Sequence, residues 1–228
     1  NTAMKYSWSQ LWIPDLINNS VECVQLYDEA KKSGLKLFVR DMAVSYAVNL
    51  QREGFSGYLK SLGSNTRLKL FNKRKRLYEA GEIRIKNIWP DIDGFIEILN
   101  QFHQLRWGKL CYQGRNRELI VACMNNVVAD GGEVDLSVIY CNGAAISAVL
   151  DIHYQQRIYN IQSGFVENFG NGVSLGTLHL GFQIEKAFET SATFYDFMAG
   201  NGKNNNYKAA LATQTENFIS IMLVRSKI

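Results

Sequence analysis

The Asn142-Gly143 pair constrains the fold more than any other feature of this sequence. It separates the runs "EVDLSVIYC" and "AAISAVLDIHY", which have the alternation and the β-branched content of strands. Asn-Gly between two such runs indicates a hairpin with a type I′ turn, because both central residues of that turn need a positive φ. The run "RIYNIQSGF" is then predicted as a third antiparallel strand.

A strand–helix–strand crossover follows this hairpin. The third strand leads through a glycine-containing loop into a helical pattern from about residue 174 to 190, and "TFYDFM" follows as a strand. Such a connection over residues 157–198 requires a parallel strand pair with a right-handed crossover. The sheet is therefore predicted to be mixed, and the fold class to be α/β (α+β).

The remaining elements are predicted from capping and periodicity. Ser20 and Asp91 are typical N-caps, and Gly34, Gly81 and the Gly131-Gly132 pair are typical helix ends. The predicted elements are a helix over 20–33, strands "LKLFVRD" and "SYAVNL", one or two helices within 54–81, a strand over 82–89, helices over 91–107 and about 116–130, a short helical turn "YKAALA" and a last strand "ENFISIMLVRS".

The stretch "NGVSLGTLHLGFQIEKA" places glycines and Ser174 directly before the crossover helix. Two interpretations are open. Ser174 can accept from the first-turn amides as an ordinary N-cap. Alternatively, the free N–H groups and the positive end of the helix dipole can bind a phosphate.

Composition excludes several classes. The chain has 228 residues, 46% hydrophobic and 20% charged, which is ordinary for a globular protein. It has no membrane-length apolar run and no signal-peptide pattern, and we expect a cytoplasmic location. The cysteines are widely spaced without C-x-x-C, which favours buried free thiols over zinc or disulfides. The three histidines stand apart and are expected to be structural; they are His103, His153 and His179.

Positive charge is concentrated in one short run. The formal net charge is only +4, but Lys69 and residues 73–76 supply five cations within eight residues. This run indicates either an anionic ligand or a solvated face. Arg67 and Arg74 fall on the apolar stripe of the same helical pattern. Each must therefore face a ligand, extend past the stripe to solvent, or pair with a carboxylate such as Asp91 or Asp93.

Four segments in this order resemble the GNAT acyltransferase superfamily, within it the CelD-like branch, and more distantly the FemAB peptidyltransferases. They are "GYLKSLGSNTRLKLFNKRKRLYEAG", "FIEILNQFHQLRW", "YNIQSGFVENFGNGVSLGTLHLGFQIEKA" and "YDFMAGNGKNNNYKAALA". The resemblance implies a GNAT domain over 82–228 with a mixed central sheet. It also implies that residues 1–81 are the remnant of an N-terminal GNAT-like lobe with a basic linking helix, so that the chain lacks its own beginning. The cofactor loop departs from the pattern, because it has no leading Arg and has Leu175-Gly176 where the branch commonly carries Pro-Gly.

The resemblance also implies an activity. It is N- or O-acyl transfer from acyl-CoA, with acetyl-CoA expected first, to an amine or hydroxyl of a sugar or other small molecule in polysaccharide or cell-envelope biosynthesis, without a metal. The donor would be held by Gly172, Val173, Ser174, Leu175, Gly176 and Thr177 of the loop and by Ile161 and Ser163 of the preceding strand. The acceptor would lie between the lobes near Arg67 and Arg74.

Three residues are implied in the chemistry itself. Lys208 would stabilise negative charge beside the donor, and Tyr207 would protonate the departing thiolate. Asp196 is either a base or a hydrogen-bonded structural group that holds the loop at Gly200.

Two alternatives remain open at this point. One is aminoacyl transfer from a charged tRNA, as in FemAB proteins, which the basic run favours. The other is a GNAT-like module without chemistry that binds an anion or a partner, which an exposed Lys208 in a disordered 199–208 loop would favour.

Overall fold

The computed structural model describes residues 7–51, 53–170, 172–199 and 205–225. Along these residues the elements are β1 (Gln10–Ile17), α1 (Val21–Lys32), β2 (Lys36–Asn49), α2 (Gly54–Ser61), α3 (Ser64–Arg67), a π-helix (Leu68–Asn72), α4 (Arg74–Glu79), β3 (Ile83–Asn87), α5 (Ile92–Trp107), α6 (Gly114–Ala129), β4 (Glu133–Cys141), β5 (Ala144–Tyr154), β6 (Arg157–Phe165), α7 (Leu175–Ala187), β7 (Phe194–Asp196), α8 (Asn205–Leu211) and β8 (Gln214–Val224).

The chain packs as two compact units. The first consists chiefly of the described residues up to Tyr46 and from Gln214 onward, and the second consists of residues 47–198 with 206–213. The predicted lobe boundary at residues 81 and 82, with residues 1–81 packing as the remnant of a second GNAT-like lobe, stays a prediction.

The first unit is a small antiparallel sheet covered by a helix. β1 pairs with β8, and Cys23 and Ala30 of α1 bury themselves against Ile219, Ile221 and Leu223 of β8. Ser20 caps α1 as predicted, since its hydroxyl accepts from the Cys23 amide. β1 was not predicted. It contains Pro14, which lies where the register with β8 shifts, and such an irregularity is where a strand tolerates proline.

The second unit carries the predicted hairpin and crossover, and both are confirmed. Asn142 and Gly143 have φ of 50° and 83°, as a type I′ turn requires, and β4 pairs with β5. β5 pairs antiparallel with β6, and β6 pairs parallel with β7 across α7. The sheet of this unit has the order β2-β7-β6-β5-β4-β3 and is mixed, as predicted.

Two packing predictions need correction. The runs "LKLFVRD" and "SYAVNL" form one continuous strand, β2, rather than two. Cys123 is exposed on α6 and Cys111 is half-buried, so the expectation of buried thiols holds for Cys23 and Cys141 and is wrong for Cys123.

Helix α7 is packed closely because its own glycine allows it. A Cβ at Gly181 would lie 2.1 Å from the Leu70 carbonyl oxygen of the π-helix, so only glycine permits this approach. Residues 64–79, which comprise α3, the π-helix and α4, are called the basic segment below. Leu70 and Leu77 of this segment are fully buried, so packing fixes it against α7 and the hairpin.

Candidate functional site

The junction between β6 and α7 is the centre of the candidate site. Ser174 occupies the N-cap position of α7, but its side chain makes no capping hydrogen bond. The first amides of a helix have no partner within the helix. The N–H groups of Leu175, Gly176 and Thr177 therefore stay available, and the capping interpretation of Ser174 is wrong for its side chain. The Val173 amide differs, because it donates to the Gly170 carbonyl at 3.0 Å.

These amides border an open cleft of about 610 Å³. Its wall contains the six loop residues 172–177, which the sequence predicted to hold the donor. The end of β6 and the residues after it complete the lining: Phe165, Val166, Glu167, Asn168 and Gly170.

Two glycines shape this loop for different reasons. Gly172 has φ of 64°, a conformation that favours glycine. Gly176 packs beneath the ring of Phe165, where an added Cβ would lie 2.4 Å from a ring carbon. The Phe165 ring therefore occupies the space that a side chain at position 176 would need. Glycine is required here for this packing, and it also leaves the amide of residue 176 accessible.

The edge of β6 opens directly before the cleft. β7 pairs with β6 only over Arg157–Tyr159, so the backbone of Ile161 and Ser163 lies beyond that pairing. Side chains occupy the polar groups of Ser163. Its N–H donates to Gln162 Oε1 at 3.0 Å, and its carbonyl oxygen lies 3.2 Å from His103 Nε2. An extended ligand that paired with Ser163 would have to replace both contacts.

The protonation state of His103 suits its hydrogen bond to the Ser163 carbonyl oxygen. A carbonyl can only accept, so Nε2 carries the proton. Burial lowers the pKa of His103, the hydrogen bond to the Ser163 carbonyl opposes this effect, and the cationic Arg106 and Lys109 lower the pKa further, so the net shift favours the neutral ring. The expected structural role of His179 is also supported, because its two ring nitrogens lie 2.9 and 2.8 Å from the hydroxyls of Ser137 and Ser147. Burial lowers the pKa of His179 to about 3.

The two arginines predicted for the acceptor are engaged within the protein. Arg67 donates to the Leu59 carbonyl oxygen at 3.3 Å. The Arg74 guanidinium stacks 3.9 Å from the ring centre of Phe182 and 4.4 Å from that of Phe71. Its carboxylate partner is Glu185 at 2.5 Å, rather than Asp91 or Asp93. Neither arginine lines the cleft at α7, and their role in acceptor binding stays a prediction.

Two of the three residues predicted for the chemistry, Asp196 and Lys208, lie close together at the end of β7. Asp196 is buried; its carboxylate accepts from Arg157 at 2.7 Å and from the Met198 amide at 2.8 Å. Lys208 Nζ donates to the carbonyls of Phe197 and Met198 at 2.7 and 3.1 Å. Asp196 thus has the contacts of a structural group, and Gly200, which it was predicted to hold, lies outside the described residues.

Tyr207 and Lys208 have shifted pKa values. Burial raises the pKa of the Tyr207 phenol, and the positive charge of Arg106 opposes this effect. Because the net shift is upward, the phenol is protonated at neutral pH. Burial also lowers the pKa of Lys208, and the negative charge of Asp196 opposes this effect. Neither residue is among those that line the cleft at α7.

Two contacts at the cleft were missed by sequence reasoning. Arg106 of α5 forms an ion pair with Glu167 at 2.9 Å and stacks on Phe165, so α5 supports the cleft wall. Lys73 of the basic segment donates from Nζ to the Gly172 carbonyl oxygen. Arg106 and Lys73 lie 59 or more positions from the residues that they contact here, and no local pattern marks such pairs.

Neither a metal cluster nor a membrane helix occurs in the part of the chain that the structure describes. Over residues 7–51, 53–170, 172–199 and 205–225, no three His, Cys, Asp or Glu side chains are grouped to hold a metal ion. Within the same ranges, every helix is too short or too polar to cross a bilayer.

Comparison with known proteins identifies one family. A family model described as an acetyltransferase (GNAT) domain matches residues 64–209. None of the curated proteins compared matches the chain. Among solved structures, FemX has a TM-score of 0.64 at 12% identity, covering 96% of this chain and 73% of FemX.

Two further structures are similar at this level. L-PGS from Bacillus licheniformis has a TM-score of 0.60 at 11% identity, covering 95% of this chain and 68% of that one. A tandem GNAT protein from the clavulanic acid biosynthesis pathway has a TM-score of 0.59 at 11% identity, covering 100% and 67%. At such low identity these likenesses show the fold alone.

Proposed function

We propose that this chain, which belongs to the acetyltransferase (GNAT) domain family, transfers an acyl group from acyl-CoA, acetyl-CoA first, to an amine or hydroxyl of a sugar or similar small acceptor. One observation carries the proposal: the open edge of β6 leads into an uncapped helix N-terminus that borders a cleft of about 610 Å³. A donor with an extended amide-containing arm and a diphosphate matches both parts.

Two groups of residues would bind different parts of the donor. The amides of Leu175, Gly176 and Thr177 would donate hydrogen bonds to the diphosphate, and the dipole of α7 adds partial positive charge there. Ile161 and Ser163 would pair with the arm as an added strand. Ser163 can do so once His103 and Gln162 release its carbonyl and its N–H, and each of those contacts is a single hydrogen bond.

The chemistry would follow as direct attack of the acceptor on the thioester. Lys208 has three N–H donors, and the carbonyls of Phe197 and Met198 take two of them. The third can stabilise negative charge on the transferring carbonyl. Tyr207, protonated at neutral pH because burial raises its pKa, can protonate the departing thiolate. Asp196 is held by Arg157, so we assign proton removal to water.

A CelD-like role in polysaccharide or cell-envelope biosynthesis is part of the proposal and rests on the sequence resemblance. Calorimetric titration with acetyl-, succinyl- and longer acyl-CoAs tests the donor directly. We expect at least one of them to bind. Absence of binding by all of them to a full-length protein would remove the proposal.

Aminoacyl transfer from tRNA is the second candidate, and the basic segment favours it because tRNA binding needs phosphate neutralisation. A gel-shift assay with bulk tRNA at low and moderate salt separates the two functions. Binding to tRNA without binding to acyl-CoA would favour the second. The third candidate, a module that binds without catalysis, would be favoured by an exposed Lys208. Lys208 is instead partly buried and donates to two carbonyl oxygens, which does not favour that candidate.

A further inference from the structure

The basic segment lies against the donor cleft and not on an independent surface. Gly181 allows the π-helix to approach α7, and Arg74 stacks on Phe182 of that helix. Leu70 and Leu77 are fully buried on the same side. These contacts determine where the neighbouring cations lie, so the position of Lys73 and Arg76 follows from core packing rather than from chance on a flexible surface.

Both cations converge on one residue of the cleft. Lys73 Nζ donates to the Gly172 carbonyl oxygen. A Cβ built on Gly172 would lie 3.4 Å from Lys73 Nζ and 3.8 Å from Arg76 Nη1, so both cationic atoms lie within 4 Å of one point.

The charge beside the cleft therefore matches the proposed donor. Lys73 gives one of its three N–H donors to Gly172, and the others are left for a ligand or water. The amides of α7 lie only three to five residues further along the chain from Gly172. Backbone amides and side-chain cations then act on the same anion from two elements, which is stronger than a helix N-terminus alone.

We infer that Lys73 and Arg76 bind phosphate groups of the donor and make the enzyme specific for a phosphorylated one. This inference rests on the proposed function and assigns to the basic segment a role in donor recognition. It predicts that the phosphate groups of CoA, and not only its pantetheine arm, determine affinity. A small phosphorylated donor is favoured over tRNA, because the two cations converge on a single glycine rather than spreading along a groove.

The experiment compares CoA with dephospho-CoA, which lacks one phosphate group, and with acetyl-pantetheine, which lacks the whole nucleotide. Wild type, Lys73→Met and Arg76→Ala are titrated with CoA and with dephospho-CoA, and acetyl-pantetheine is added as a competitor. Each substitution should weaken CoA roughly ten-fold, as loss of a charged hydrogen bond at a partly exposed site predicts. The inhibition constant of acetyl-pantetheine should stay the same, and Lys73→Arg should retain most of the CoA affinity.

Lys75 provides the matched control, because it is an exposed lysine of the same run. Lys75→Met should bind CoA like wild type. Equal weakening of CoA and acetyl-pantetheine in Lys73→Met would mean that Lys73 only shapes the loop, and would overturn the inference. CoA affinity unchanged in both Lys73→Met and Arg76→Ala would overturn it as well.

Inorganic pyrophosphate makes the test independent of the donor. It should raise the melting temperature of wild type and of Lys75→Met equally, and that of the double variant Lys73→Met/Arg76→Ala clearly less, because only the amides of α7 then remain to bind it. If wild type binds no acyl-CoA but shows this pyrophosphate effect, the proposed function fails and the phosphate site stands. If bulk tRNA binds and loses affinity in the double variant while CoA does not bind, the small-donor inference is wrong.

Discussion

Replacement of Gly181 by alanine tests whether the basic segment is held as closely to α7 as the structure indicates. The added Cβ would lie 2.1 Å from the Leu70 carbonyl oxygen and 3.1 Å from its carbonyl carbon. A backbone oxygen cannot rotate away, so the two elements must separate by roughly 1 Å to reach an ordinary contact. Overpacking of this kind costs about 1–3 kcal/mol and here belongs at the upper end.

Helix propensity opposes this cost. Alanine is better than glycine inside a helix by about 1 kcal/mol. The net expectation for Gly181→Ala is therefore a loss of about 2 kcal/mol of unfolding free energy, or roughly 4–8 °C in melting temperature for a unit of this size. Because the separation also moves Lys73 away from Gly172, the affinity for CoA should fall together with stability.

Urea unfolding and calorimetric titration with CoA measure the two effects. Gly63→Ala is the control, since a Cβ there meets nothing within 4 Å and its φ of −57° suits any residue. It should cost less than about 1 kcal/mol, as loss of glycine at an N-cap predicts. Gly181→Ala as stable as wild type or more stable, as propensity alone would predict, would refute the close packing of the two elements.

Three further substitutions test other parts of the structure. Asp151 is buried among Asn160, Gln183 and Tyr195, and burial raises its pKa to about 7. Its contribution to the free energy of unfolding is therefore present at low pH and is lost from about pH 4 to 7, at up to about 1.4 kcal/mol per pH unit. Asp151→Asn should flatten this pH dependence in urea unfolding, and an unchanged slope would contradict the assignment. Arg74→Met should destabilise the fold by about 1–2 kcal/mol through loss of its stacking and ion pair, and it should also weaken CoA because Arg74 anchors the segment that holds Lys73 at Gly172. A variant as stable as wild type with an impaired acceptor KM would instead favour the predicted substrate role of Arg74. Lys208→Ala should lower turnover roughly a hundred-fold with little effect on CoA affinity, whereas turnover equal to wild type would remove Lys208 from the chemistry.

The parts of the fold that short-range signals determine could be predicted from the sequence. Asn142-Gly143 dictates its turn through positive φ, and Ser20 and Asp91 cap their helices through their own side chains. The parallel pairing of β6 and β7 follows from the length of the intervening helix. The turn and the caps depend on a few adjacent residues, and the parallel pairing depends on one crossover within a single continuous segment, which is why tertiary context did not override them.

The π-helix at Leu68–Asn72 could not be predicted, and it changes how the basic segment is interpreted. Its i→i+5 bond from the Lys73 amide to the Leu68 carbonyl inserts an extra residue into the turn. Arg67 and Arg74 are seven apart and share a face only in a regular α-helix. On the two sides of this extra residue the arginines differ, since Arg67 donates to the Leu59 carbonyl whereas Arg74 pairs with Glu185 of α7.

Long-range contacts determine the rest of the candidate site. The aromatic rings around Arg74 come from Phe55, Phe71 and Phe182, which the sequence separates by up to 127 positions. The ion pair of Arg106 with Glu167 joins two elements in the same way. Loop residues 172–177 were predictable because glycine and serine before a helix form a local signal, whereas the cations that border them come from elsewhere in the chain.

Lys73 and Arg74 are adjacent in sequence, yet the chemistry of their side chains explains why they have opposite environments. A guanidinium is planar and weakly hydrated, so it can lie between the faces of Phe71 and Phe182 with one bond to Glu185. An ammonium is compact and strongly hydrated, and it suits a carbonyl such as that of Gly172 or a phosphate oxygen. The run of five cations is therefore not one patch. Arg74 anchors the segment to α7, and this anchoring holds Lys73 at the cleft. The structural role of Arg74 therefore makes the proposed binding role of Lys73 possible.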